Sequence, residues 1–116
     1  VVMAESGTGW IPFQVQEMDY RLNRVLEGKV PEHFSLEKLP SEVFKKQLWA
    51  TYQQDLVGLN LMQFFGEGHM MWASDYPHPD STWPDSVAIL DKEMETMTAE
   101  VRQKITHDNA KEFYKL

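Results

Sequence analysis

Apolar positions along the chain change their period several times, and each change marks an element. Val1 to Glu5 is a short apolar run closed by Ser6-Gly7-Thr8-Gly9, the pattern of a buried strand and a turn. Pro12 suits the first turn of a helix. Beyond it, Met18, Leu22, Val25 and Leu26 recur at helical spacing, and Gly28 can end the segment. Lys29 to Pro40, with Pro31 and Pro40, reads as a loop, and Ser41 is a candidate N-cap for a short helix through Glu42 to Lys46. Leu48-Trp49-Ala50-Thr51-Tyr52 fits a strand or a continuation of that helix, and periodicity does not decide between them.

Asp55 caps a second helical pattern, in which Leu56, Leu59, Met62, Gln63 and Phe64 recur at three- and four-residue steps until Gly66 and Gly68 break it. His69 to Ala73 is the second clear strand, and Asp75 to Pro84 is a long loop. Asp85 to Glu95 predicts a helix with Val87, Leu90 and Met94 on one face. Thr98 caps the next helix, with Val101 and Ile105, and Asn109 to Leu116 adds a last helical segment. The alternation of strands and helices, without internal repeats, predicts an α/β fold with parallel strands.

In parallel α/β folds the working residues collect at the C-terminal ends of strands and in the loops that follow. Two such ends are polar here. One delivers Glu5 and Ser6 and then Trp10; the other delivers Ser74 and Asp75 and then Tyr76-Pro77-His78, with Trp83 further on. A carboxylate at such a place can bind a metal or accept a proton from a metal-bound water. Asp75 is equally suited to forming a turn or capping a helix, His78 between two prolines to a backbone-bonded loop position, and Trp10 and Trp83 to covering a core edge. Gly7-x-Gly9 lacks the third glycine and the lysine of a phosphate loop. The four histidines, His33, His69, His78 and His107, form no H-x-H or H-E-x-x-H pair, and no serine stands in a G-x-S-x-G elbow.

Composition narrows the classes. A length of 116 residues suits one domain, and 42% hydrophobic with 25% charged residues is ordinary for a globular chain. The net charge of -7 argues against nucleic acid as a partner, because phosphate backbones attract basic surfaces. The absence of cysteine excludes disulfides, thiol catalysis and Cys-bound zinc, and fits a cytoplasmic location. No apolar run approaches the roughly 20 residues needed to span a bilayer, so no membrane partner is expected, and no signal peptide is evident. The opening Val1-Val2-Met3-Ala4, already inside a strand-like run, suggests a piece of something longer.

Four words, "ESGTGWIPF", "LPSEVFKKQLWATYQQD", "MMWASDYPHPDSTWPDS" and "KITHDNAKEFYKL", resemble in order the C-terminal part of the amidohydrolase-related family of metal-dependent hydrolases. That family includes aminocarboxymuconate semialdehyde decarboxylase and resorcylate-type decarboxylases. The resemblance covers nearly the whole chain. It implies the C-terminal portion of a TIM-like (β/α)8 barrel, incomplete in this chain and completed or covered by oligomerisation, with Val1 to Glu5 as the seventh strand and His69 to Ala73 as the eighth. It implies a divalent metal, zinc, held at the strand ends. Asp75 then matches the family's strand-eight aspartate, a metal ligand and catalytic group, and His78, Trp83, Glu5 and Trp10 lie on the loops around the substrate.

The family's H-x-H pair and later strand histidines have no counterpart here. A typical barrel takes about 250 residues, and catalytic zinc takes three protein ligands and an open position. The implied function is a metal-dependent hydrolase or non-oxidative decarboxylase of small carboxylated or cyclic substrates, with this chain inactive alone. The alternatives are a self-associating module that buries the run Leu59 to Phe65 between chains, as a homo-oligomer, or a small ester hydrolase with a site built across an oligomer from Asp75, His78 and Ser74.

Overall fold

A computed structural model describes residues 1–27 and 38–116; the expected helix stop at Gly28, Pro31 and His33 lie outside the described residues. Three strands form one sheet, β1 (Val2–Met3), β2 (Trp49–Tyr52) and β3 (Met70–Trp72), in the order β1-β2-β3. Both pairings are parallel. Met3 lies opposite Ala50, and Ala50, Thr51 and Tyr52 lie opposite Met70, Met71 and Trp72. Helix α1 (Ile11–Glu27) follows β1, α2 (Pro40–Gln47) leads into β2, and α3 (Leu56–Phe65) follows it. After β3 come α4 (Ser86–Glu93), α5 (Ala99–Gln103), a π-helical turn over Lys104–Asp108 and α6 (Asn109–Tyr114).

The ambiguous segment Leu48–Tyr52 is therefore a strand, and it is the central one. Local periodicity could not decide this because the deciding contacts are pairings with residues twenty or more positions away on either side. β1 and β3 both neighbour β2 and do not pair with each other. β1 is shorter than the apolar run Val1–Glu5, because the chain leaves the sheet at Ala4 and Glu5 takes a left-handed φ of 54°.

One face of the sheet carries Ala50, Tyr52 and Met70, which are buried together with Ile11, Leu59, Phe65, Leu90, Met94 and Ile105. Alternation along a strand places Thr51 on the opposite face. Leu59 and Phe65 thus belong to this chain's own core, whereas Phe64 is exposed. On α4 the buried position is Leu90, with Met94 just beyond; Val87, expected on the same face, points to solvent.

The caps follow the side-chain chemistry in two of three cases. Asp55 accepts from Gly58 N–H at the start of α3, and Thr98 from Val101 N–H at the start of α5. At α2 the cap is Leu39 rather than Ser41. Pro40 takes the first helical position, where its fixed φ fits and its missing N–H costs nothing. Ser41 N–H instead donates to Asp19 Oδ1 at 2.9 Å, tying α2 to α1.

Buried Asn109 closes the lower part of the fold. Its amide donates to Glu67 O at 2.6 Å and to Met70 O at 2.7 Å, so one side chain pins the final helix to the entry of β3. Replacing it leaves two carbonyls without that donor. Asn109→Leu should lower stability by about 1–3 kcal/mol, read as a shift in the urea midpoint with unchanged slope; an unchanged midpoint would remove this role.

Candidate functional site

The C-terminal ends of all three strands meet at one small cavity of about 100 Å³, lined by Glu5, Gly7, Thr51, Tyr52, Gln53, Gln54, Ala73 and Asp75. β1 supplies Glu5, β2 supplies Thr51 to Gln54, and β3 supplies Ala73 and Asp75. Glu5 N–H donates to Thr51 Oγ1 at 3.1 Å, and Ala73 N–H to Tyr52 O at 3.0 Å, which carries the sheet pairing up to the rim. Glu5 and Asp75, the two acids on this rim, both hold left-handed backbones, with φ of 54° and 59°. Such conformations are unfavourable for residues other than glycine and gather where the surrounding structure imposes them, functional sites among them.

The loop after β3 is closed by hydrogen bonds onto Ser74. Thr82 N–H and the Ser81 hydroxyl both donate to Ser74 O, at 3.0 and 2.7 Å, and His78 N–H donates to Asp75 O at 2.8 Å. This folds His78 back on Asp75, with Nδ1 3.4 Å from Asp75 Oδ2. The imidazole itself is largely in solvent. Ser74 Oγ accepts from Tyr76 N–H at 3.4 Å, and no hydrogen bond joins it to His78 among the described residues, so a Ser–His nucleophile pair is not formed.

Trp83 stands apart from the strand-end cavity. It lines an adjoining open cleft of about 320 Å³ with Gln53, Gln54, Asp80, Thr82 and Asp85, and its ring lies 5.3 Å from that of Tyr76. Gln53 and Gln54 border both spaces. Trp10 lines neither, and its indole N–H donates to Ser6 O at 3.1 Å, which braces the β1–α1 loop. The structure therefore brings Glu5 and Asp75 together, places His78 against Asp75, and leaves Trp83 and Trp10 at the margins. Thr51, Gln53 and Gln54 are the rim residues that sequence reasoning missed; their signal was the end of β2, invisible while that segment could still be helix.

One carboxylate fixes this geometry. Asp55 Oδ2 accepts from Thr8 N–H, from Thr8 Oγ1 at 2.9 Å and from Gly9 N–H at 2.8 Å, while Oδ1 accepts from Gly58 N–H at 2.8 Å. The loop after β1 is thus clamped to the loop after β2. Burial works to raise the Asp55 pKa, but the donors on Gly58, Thr8 and Gly9 outweigh it and hold the carboxyl below its ordinary value.

No metal centre is complete here. Among the described residues no group of three or more His, Cys, Asp or Glu side chains converges, and the cavity offers the carboxylates of Glu5 and Asp75 without a nitrogen ligand. These residues do not fit a whole catalytic zinc site, which takes three protein ligands. Asp75 can contribute a single oxygen to one. No helix among the described residues is long and apolar enough to cross a membrane.

The Amidohydrolase family model matches residues 1–116, and the chain belongs to that family. No curated protein matches it in sequence. Among solved structures it is similar to 5-carboxyvanillate decarboxylase from Sphingomonas paucimobilis, with 21% identity over 99% of this chain and 33% of that one, at a TM-score of 0.77. It is similar to a dihydroxybenzoic acid decarboxylase from a Polaromonas species, solved with bound manganese and the inhibitor 2-nitroresorcinol, with 15% identity over 99% and 33% at 0.73. An amidohydrolase from Mycobacterium avium subsp. paratuberculosis gives 20% identity over 96% and 27% at 0.75. The chain spans about a third of the length of these structures. Its three parallel strands and their helices are part of a TIM-like (β/α)8 barrel, as the resemblance implied.

The clamp leaves no space for a side chain at Gly58. A Cβ there would stand 1.9 Å from Thr8 Oγ1 and 2.5 Å from Asp55 Oδ2. Gly58→Ala should destabilise the protein by about 1–3 kcal/mol, lowering the thermal midpoint, whereas Gly68→Ala, with open space around its Cβ, should cost under about 1 kcal/mol. Equal midpoints for the two variants would contradict the clamp.

Proposed function

We propose that this chain forms one side of the active site of a metal-dependent, non-oxidative decarboxylase of small aromatic carboxylic acids, with hydrolysis of a small cyclic substrate as the family's other chemistry. The observation that carries the reading is the convergence of three parallel strand ends on Glu5, Thr51 and Asp75, the place where barrel enzymes keep their chemistry. The decarboxylase names of two structural relatives point to the substrate class. With β3 taken as the eighth barrel strand, its neighbour β2 would be the seventh and β1 the sixth, where the resemblance implied the seventh for Val1 to Glu5.

Charge supports the need for a cation. The cavity and the adjoining cleft are bordered by Glu5, Asp75, Asp80 and Asp85, and among the described residues no lysine or arginine lines either. A carboxylate substrate would be repelled from such a rim unless positive charge stood between. The manganese in one relative is of that kind, and zinc would serve likewise. Asp75 would supply one oxygen ligand, and other strands of a complete barrel the rest; bound there, the metal would neutralise the substrate's charge.

Asp75 would also serve as the group that passes a proton at the site. In decarboxylation the C–C bond to the carboxylate breaks, carbon dioxide leaves, and a proton takes its place on the ring carbon; a carboxyl at the rim can deliver it. In hydrolysis the same carboxylate accepts the proton of the attacking water. His78, against Asp75, and Trp83 in the next cleft would meet the substrate on entry, with Glu5 on the loop opposite and Trp10 bracing that loop.

The outer edges of β1 and β3 are unpaired within this sheet, and Phe13, Leu56, Val57 and Phe64 are exposed. These features support a second reading, a self-associating assembly in which further strands, or a second copy, cover them. A complete barrel that contains this chain, loaded with manganese or zinc and given 2,6-dihydroxybenzoate or 5-carboxyvanillate, should release carbon dioxide. Asp75→Asn should lower the rate by about 100-fold or more and reduce the metal retained after dialysis. Full rate and full metal content in the variant would overturn the assignment of Asp75.

A further inference from the structure

The stretch from Tyr52 to Asp55 is held from both sides. Ala73 N–H donates to Tyr52 O at 3.0 Å, and the Trp72 indole N–H donates to Gln53 O at 3.1 Å. The Gln53 amide reaches Asp80 O, in the loop after β3, at 3.4 Å. Asp55 is fixed by its donors on Thr8, Gly9 and Gly58. Between these anchors, Gln54 projects an exposed carboxamide that makes no hydrogen bond among the described residues. A polar group left free on a fixed backbone needs little reorganisation when a ligand arrives.

Its surroundings define what that ligand can be. Gln54 lines both the strand-end cavity and the cleft that holds Trp83. Among the described residues, the other polar side chains that could offer a neutral donor to these spaces are engaged. The Thr51 hydroxyl oxygen accepts from Glu5 N–H, Ser81 donates to Ser74 O, and the Thr82 hydroxyl is bonded to that of Ser86. The remaining border groups include the acids Glu5, Asp75, Asp80 and Asp85. The Gln54 N–H is thus placed to meet an acceptor oxygen on the ligand. A lysine here would pair with the acids of the rim, whereas a carboxamide donates without that competition.

We propose that Gln54 is a specificity-determining residue of the site, its carboxamide bonding an oxygen substituent of the bound aromatic acid where cavity and cleft join. The assignment rests on the reading of the site as that of a decarboxylase. A ligand with its carboxylate beside Asp75 and its ring toward Trp83 crosses the junction that Gln54 borders. The carboxamide carries both a donor and an acceptor. Its N–H can meet a carboxylate oxygen while its C=O takes the proton of a neighbouring ring hydroxyl. A ring without that hydroxyl leaves part of the carboxamide unmatched, which is how a hydrogen-bonding site tells such substrates apart.

The test is the affinity of 2-nitroresorcinol, the inhibitor bound in one structural relative, for a complete barrel that contains this chain and is loaded with manganese. This probe has no carboxyl to lose, so its binding is measured apart from turnover. Gln54→Leu should weaken binding about 10-fold with the metal content unchanged. Gln54→Glu, of the same size but without the N–H donors, should weaken it at least as much. An unchanged affinity in Gln54→Leu, or no binding to the wild-type barrel, would overturn the assignment. Carbon dioxide release from 2,6-dihydroxybenzoate is followed in parallel. Its absence, with binding that still depends on Gln54, would contradict the decarboxylase reading and uphold Gln54. Its presence, with unchanged affinity in the variants, would contradict Gln54 and uphold that reading.

Discussion

The Asp55 carboxylate is the constraint on which the upper half of this molecule depends. Its two oxygens gather donors from Thr8, Gly9 and Gly58, so two loops far apart in sequence share one anion. Hydrogen bonds to a charged acceptor are among the stronger in proteins. The arrangement also needs Gly58, because any Cβ there would strike the Thr8 hydroxyl and the carboxylate. Through this clamp the chain leaving β1 is turned so that Glu5 faces the same cavity as Asp75.

Below the clamp, the sheet and its buried face provide the platform. Tyr52 and Ala50 from β2 and Met70 from β3 pack on α3, α4 and the π-helical turn through Leu59, Leu90 and Ile105, and Asn109 joins the last helix to Met70. The opposite face, with Thr51, leads up to the candidate site. Packing on one side and chemistry at the strand ends is the division of labour of an α/β barrel, and membership of the amidohydrolase family accords with it.

Much of this was legible in the sequence where the signal is local. Asp55 and Thr98 read as helix caps and are caps. The polar ends of the first and last strands pointed to Glu5 and Asp75, and the structure brings these to one cavity. What could not be read depends on long-range contact. Asp55 as a cap is a three-residue pattern, whereas its grip on Thr8 spans 47 positions. The strand at Trp49–Tyr52 exists because both neighbours pair with it, and without it Gln53 and Gln54 have no strand end to belong to. Ser41 looked like a cap by residue type, but Pro40 set the start of the helix two positions earlier. Trp10 sits near Glu5 in sequence, yet its indole turns to Ser6 O and away from the opening.

The most direct test of the clamp is amide hydrogen exchange at Thr8 and Gly9 in the wild-type protein and in Asp55→Ala. With the carboxylate removed, those two amides should lose protection, while Met71 in the sheet keeps its own. Unchanged protection at Thr8 and Gly9 would mean that something other than Asp55 holds the first loop over the site.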